Sequence, residues 1–232
     1  GLYTISCGGV TAGITDYGAA LVSLLVPDSA GNLADVVLGF DDCAGYANGD
    51  GCLGATVGRS ANRIQGAAFR LGSRDCCLTP NENGNNLHSG PDFYFKRLWK
   101  LISHTDTEVV LELHSPHGDQ GFPGNAEIRV TYSLDASGGL HIVYDGICDQ
   151  DTVFNLTNHS YFNLRGHECT EAAMEQVLTL PGRFFTPADA GNIPTGEKRS
   201  VVGTPMDFRV PKPISRDLRQ DYECLQLQGG YD

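Results

Sequence analysis

The segment 152–164, TVFNLTNHSYFNL, gathers groups that can move protons and hold hydroxyls. His159 carries an imidazole whose ordinary pKa, about 6.5, lets it give or take a proton near neutral pH. Asn155, Thr157, Asn158, Ser160 and Tyr161 surround it with amide and hydroxyl groups that both donate and accept. Read as a strand to about His159, the segment turns Val153, Asn155, Thr157 and His159 to one face and Phe154 and Leu156 to the other. Each polar group on such a face would need a partner if it were buried. The face therefore either meets a hydroxyl-rich ligand or belongs to a structural hydrogen-bond network, and the pattern alone admits both.

Two further groups have matching chemistry. His88 lies in NNLHSG at 85–90, a loop by composition, where it is either functional or a surface or capping residue. In GRSANRI at 58–64, Arg59 and Arg63 flank Asn62, and Arg and Asn are natural donors to sugar oxygens, although arginines near a turn are commonly just solvated. Other patterns carry less. His114, His117 and Asp119 sit in a Pro/Gly loop without the fixed spacing of a metal site. Two glycosylation sequons, at 155–157 and 158–160, mean little outside the secretory pathway. No phosphate loop, dinucleotide fingerprint or G-x-S-x-G elbow occurs. No cofactor and no metal is expected.

The elements that must position these groups read as strands. In Ala126–Leu134 the residues Ala126, Ile128, Val130, Tyr132 and Leu134 alternate with Glu127, Arg129, Thr131 and Ser133, the period of a half-buried strand. The stretch 108–114 repeats it with Val109, Leu111 and Leu113 inside, and 140–147 follows a turn at 135–139. Three such strands in succession predict a β-meander. Helix signals are confined to single turns at 41–46 and 171–175. Abundant glycine, 29 residues, and only 2 methionines also favour a turn-rich β protein, and 41% hydrophobic residues suffice for a core. Without linkers or repeats, residues 1–232 are expected to form one antiparallel domain.

The net charge of −12 disfavours nucleic acid and anionic membrane partners. The longest apolar run, 19–26, is far too short to span a bilayer, and no signal peptide is legible. Eight cysteines lack C-x-x-C spacing, which predicts a reducing, cytoplasmic setting rather than a stapled scaffold.

Taken together, ADVVLGF at 34–40, GATVGRSANRI at 54–64, NLHSG at 86–90, GDQGFPG at 118–124, NLTNHSYFNL at 155–164, IPTG at 193–196 and GTPMDF at 203–208 resemble the aldose 1-epimerases. Each motif is weak alone; the set runs in the family's order along nearly the whole chain. The resemblance implies a large twisted antiparallel β-sandwich of the galactose mutarotase type, with a monosaccharide such as galactose or glucose held in a cleft on one sheet. It implies that Asn62 and Arg63 bind sugar, that His88 touches it near the ring oxygen and that His159 is the general acid. Ser160 and Tyr161 adjoin the site, and Asp232 matches an aspartate that binds sugar hydroxyls. The reaction is interconversion of anomers, without a cofactor, in a monomer or weak dimer.

The resemblance also implies a glutamate base beyond the Tyr-Asp motif at 231–232. Glu197 belongs to the turn after IPTG and Glu223 precedes the Tyr-Asp motif, so neither takes that place. The expectation is a sandwich that is C-terminally incomplete and a chain of doubtful turnover. Two other readings stay open: a sugar-binding sandwich without catalysis, and a glycoside hydrolase. The latter needs two carboxylates about 5–10 Å apart, where histidine stands instead.

Overall fold

The computed structural model describes residues 1–49, 51–170 and 173–231. The chain divides into two compact units, Gly1–Glu168 and Cys169–Asp232.

The first unit opens with four strands, β1 (Leu2–Cys7), β2 (Val10–Thr15), β3 (Ala20–Pro27) and β4 (Leu33–Asp35), in an antiparallel sheet of that order. Helix α1 (Cys43–Asn48) follows, started by the Asp42 carboxylate, which accepts from the Gly45 N–H. The middle of the unit is built of short ladders: β5 (Thr56–Val57), β6 (Arg63–Ile64), β7 (Ala68–Leu71), β8 (Arg74–Cys77) and β9 (Asn86–Leu87). There β7 pairs with β8 and β6 with β9. A second four-stranded antiparallel sheet follows, β10 (Lys100–His104), β11 (Glu108–Ser115), β12 (Ala126–Leu134) and β13 (Leu140–Cys148). It contains the predicted meander, and β10 adds a strand at its edge.

Alternation fixes what each sheet buries. Along β12 every second residue from Ala126 to Leu134 is buried, while Glu127 and Arg129 are exposed. The β11–β12 register sets Val109, Leu111 and Leu113 opposite Tyr132, Val130 and Ile128, so both strands present one apolar face. That face joins Ile5, Ala12, Ile14 and Leu21 of the first sheet in one core cluster. Burying each of the larger side chains contributes roughly 1.5–3 kcal/mol. The two sheets thus form an antiparallel sandwich.

The predicted strand ending near His159 shortens to β14 (Thr157–Asn158), paired with β5. Asn155 instead makes an isolated parallel bridge to Ser60. Strict alternation consequently fails in this segment, as its side chains show below.

The second unit has two short ladders. One joins β15 (Val177–Leu178) to β18 (Lys212–Pro213), the other β16 (Phe184–Phe185) to β17 (Arg199–Ser200). Helix α2 (Glu223–Gln228) buries Cys224 and Leu225. The Lys212 ammonium is buried against Asp217 at 2.6 Å and over the Phe208 ring. The predicted turn at 171–175 is seen as a 3-10 turn at Ala173–Glu175; Glu171 lies outside the described residues. No described helix is long and apolar enough to cross a membrane.

Candidate functional site

A cavity of about 470 Å³ opens on the first unit, within the size range of small-molecule sites. Its lining includes Asn62, His88, Asn155, His159, Ser160 and Tyr161. Consecutive residues from Asn155 to Tyr161 all reach it, so the segment presents both parities rather than one strand face. The His88 and His159 rings stand perpendicular with centroids 5.5 Å apart. The Tyr161 ring lies 5.2 Å from that of His159.

His88 is held by Asn62. The His88 N–H donates to the Asn62 carbonyl at 3.0 Å, and the Asn62 N–H donates to His88 Nδ1 at 3.0 Å. Asn62, His88 and Ser89 all have positive φ, at 61°, 55° and 60°. Such backbones cost of order 1–3 kcal/mol each and persist where surrounding bonds over-determine them. Those bonds are present. Ser89 Oγ donates to the Ser60 carbonyl and accepts from the Ser60 N–H, both at 2.9 Å. The buried Asn86 amide donates to the Thr79 and Gly90 carbonyls.

His159 is placed from the opposite side. Its N–H donates to the Ala55 carbonyl at 2.9 Å and its carbonyl accepts from the Gly54 N–H at 3.1 Å. Gly54 has φ +68°, and a side chain there would collide with the Leu21 carbonyl, so this close approach requires glycine. The Asn158 amide donates to the Gly54 carbonyl at 2.7 Å and to the Tyr132 hydroxyl at 3.1 Å, while its oxygen accepts from the Ser160 N–H. The Asn155 amide donates to the Ala61 carbonyl at 3.2 Å. The two readings of the polar segment therefore both apply, to different residues. The Asn155 and Asn158 amides tie backbone together, whereas neither ring nitrogen of His159 bonds a described residue.

Electrostatics fix the charge state of His88. Burial, then the neighbouring His159 and Arg63, push the His88 pKa down to about 4, against a smaller opposing pull from Glu82. His88 is neutral at pH 7, and because Nδ1 accepts from Asn62, its proton sits on Nε2 and is available to donate.

Arg63 does not line the cavity. Its guanidinium is bidentate to Glu82 at 2.6 and 2.9 Å and reaches Asn62 Oδ1 at 3.3 Å, so it supports Asn62 from behind. That bond to Arg63 is the first cause holding the Glu82 carboxyl below its usual range. Arg59, flagged beside it in the sequence, is fully buried and away from the cavity. It donates to the Pro123 carbonyl, Thr152 Oγ1 and Ser115 Oγ, which is an internal brace and not a ligand contact. Asp232 lies outside the described residues.

The family model described as aldose 1-epimerase matches residues 1–232. The chain belongs to the aldose 1-epimerase family. An aldose 1-epimerase of Haemophilus influenzae is 40% identical over 224 residues, covering 97% of this chain and 64% of that protein. A galactose mutarotase of Bos taurus is 39% identical over 209 residues, 89% of this chain and 60% of that protein. Among solved structures, an aldose epimerase homologue from C. elegans aligns with a TM-score of 0.87 at 34% identity over 92% of this chain and 65% of that one. The chain thus spans less than two thirds of the length of these relatives.

Within this member of the family, sequence reasoning missed three residues around the cleft. Glu82 is a loop acid whose partner, Arg63, is remote in sequence. Tyr132 reads as core, yet its hydroxyl donates to the Ala19 carbonyl at 2.8 Å and accepts from Asn158. Cys52 lies beside both imidazoles. None carries a local signal, since each acts through a tertiary contact.

The loop predicted to be a poor metal site is absorbed by structure. Asp119 pairs with Arg97 at 2.7 Å, and burial of its carboxyl is outweighed by Arg97 and Ser115, which hold its pKa low. His117 Nδ1 accepts from the Gly124 N–H, and His114 is exposed.

Proposed function

We propose that this cleft interconverts the α and β anomers of an aldohexose, galactose or glucose, by opening and reclosing the hemiacetal ring. The observation that carries the proposal is the perpendicular His88–His159 pair across one polar cavity, in a chain of this family. In ring opening the anomeric hydroxyl loses its proton to a base, the bond from the anomeric carbon to the ring oxygen breaks, and the ring oxygen gains a proton. The aldehyde then turns about its first carbon–carbon bond and the ring closes on the other face, with the transfers reversed. We assign proton donation to the ring oxygen to His159. His88 Nε2–H holds an oxygen beside it, Asn62 takes a hydroxyl, and Ser160 and Tyr161 border the sugar. Arg63 acts through Asn62. Asp232 is assigned sugar hydroxyls on the resemblance alone.

A second reading has its own observation. Among the described residues no carboxylate lines the cavity, so these residues grip a sugar and offer an acid without the matching base. On that reading residues 1–232 bind sugar and turn it over poorly. The adjacent thiols of Cys76 and Cys77 are free, which supports a reducing, cytoplasmic setting, and the protein is taken as a monomer or weak dimer.

Polarimetry of freshly dissolved α-galactose tests the proposal. Catalysis speeds the decay of optical rotation, sugar binding alone leaves it at the spontaneous rate, and hydrolysis would release reducing ends from a galactoside. Running this chain beside one extended to the length of the relatives separates the two readings. Acceleration by neither would overturn the epimerase assignment.

A further inference from the structure

Cys52, His88 and His159 form a cluster that the reaction does not call for. One ligand atom of each lies within 4.8 Å of those of the other two, and all three residues are half-buried. We propose that this trio captures a borderline-soft divalent cation of the Zn²⁺ class and that the bound ion closes the cleft to sugar.

The donor set decides the class of ion. Two imidazoles and a thiolate suit Zn²⁺ or Cd²⁺, whereas Mg²⁺ and Ca²⁺ take oxygen ligands. Around tetrahedral zinc, with bonds of about 2.0–2.3 Å, ligand atoms sit roughly 3.3–3.6 Å apart. From separations of up to 4.8 Å the cluster needs to close by roughly 1.2–1.5 Å at most, which side-chain rotation supplies. Three protein ligands would leave one position open, and the cavity provides it on the side of His88 and His159.

Two ligand atoms must rearrange. The Cys52 thiol loses its proton to solvent as the sulfur–metal bond forms, one proton released per ion. His88 Nε2 carries a proton because Nδ1 accepts from the Asn62 N–H. That proton must move to Nδ1 and break the Asn62 bond before Nε2 can ligate, which lowers affinity by about tenfold relative to an unencumbered site. His159 has no bond to a described residue to break at its ring, but the nitrogen that ligates must be free of the proton it donates in the reaction. Capture of the ion rests on this geometry alone. The exclusion of sugar rests on the cleft reading, because the ion would occupy the imidazole assigned to the ring oxygen.

The test uses the whole reduced 232-residue chain. Calorimetry with ZnCl₂ is expected to show one site, MgCl₂ none, and CdCl₂ is expected to add an ultraviolet thiolate-to-metal absorption. Cys52→Ser should weaken Zn²⁺ by at least about 10–100-fold and remove that absorption, with galactose affinity in metal-free buffer unchanged. His159→Gln should weaken Zn²⁺ as well. Absence of zinc binding at millimolar ion, or binding that survives both substitutions, would overturn the site. If Zn²⁺ binds through Cys52 but galactose affinity is the same with and without it, the exclusion is wrong and the sugar cleft lies elsewhere.

Discussion

Asn62 and His88 lock each other: the His88 N–H bonds the Asn62 carbonyl and the Asn62 N–H bonds His88 Nδ1, both at 3.0 Å. The pair fixes two positive-φ backbones and, with them, the tautomer of an imidazole at the cleft. A ring held this way is a constant hydrogen-bond donor and not a titrating acid in the neutral range.

This gives a pH signature. The unfolded chain protonates the ring near its ordinary value of about 6.5, the folded chain only near about 4. Between those values the unfolded state binds more protons, so this group erodes folding stability as pH falls from about 6.5 toward about 4 and is silent above. His88→Asn, which tolerates positive φ, should lose that part of the acid sensitivity. Denaturant titrations of both proteins across the interval measure the difference; parallel curves would contradict the lowered pKa.

Tyr132→Phe keeps the buried ring and removes the hydroxyl that bridges the Ala19 carbonyl and the Asn158 amide. The expected loss is about 1–3 kcal/mol of stability from the unpaired groups. The rate of mutarotation should fall further than sugar affinity, because Asn158 adjoins His159. Denaturation combined with separate rate and affinity measurements checks this. Equal losses of rate and affinity would make Tyr132 a packing residue only.

How much of this was legible varies with the range of the interaction. The β12 alternation and the meander could be read because burial of one face imposes a period of two on the residues themselves. The residues 155–161 broke that rule: outside the two-residue β14–β5 ladder their backbone bonds go singly to Leu38, Gly54, Ala55, Arg59 and Ala61, and no local period records such partners. The same limit explains Arg59, which looked like a ligand donor beside Asn62 and is instead the fully buried brace of Ser115, Pro123 and Thr152. His88 and His159 were identifiable as chemistry; that their rings meet depends on two loops far apart in sequence.

Arg59→Met should therefore act on folding first. It removes a fully buried charge together with the bonds it makes to three segments. A loss of a few kcal/mol is expected, since each buried acceptor left unpaired costs about 1–3 kcal/mol. Thermal and urea denaturation measure it, and a loss under about 1 kcal/mol would show that the guanidinium is not the brace.

Glu82→Gln weakens the grip on Arg63 without touching the cavity lining. Galactose affinity should fall a few-fold through a less constrained Asn62, while stability falls by about 1–2 kcal/mol at this half-buried bidentate ion pair. Calorimetry with galactose reads the affinity directly, and an unchanged value would remove Arg63 from the sugar site.

The central claim is that His159 gives the proton to the ring oxygen. It is tested most directly by His159→Gln, made in the protein at the length of its relatives, with polarimetric rate and galactose affinity measured on the same samples. A group that acts in the transition state should, when lost, slow mutarotation by about 10²–10⁴-fold and leave affinity within a few-fold. An unchanged rate, or a fall in affinity as large as the fall in rate, would contradict the account.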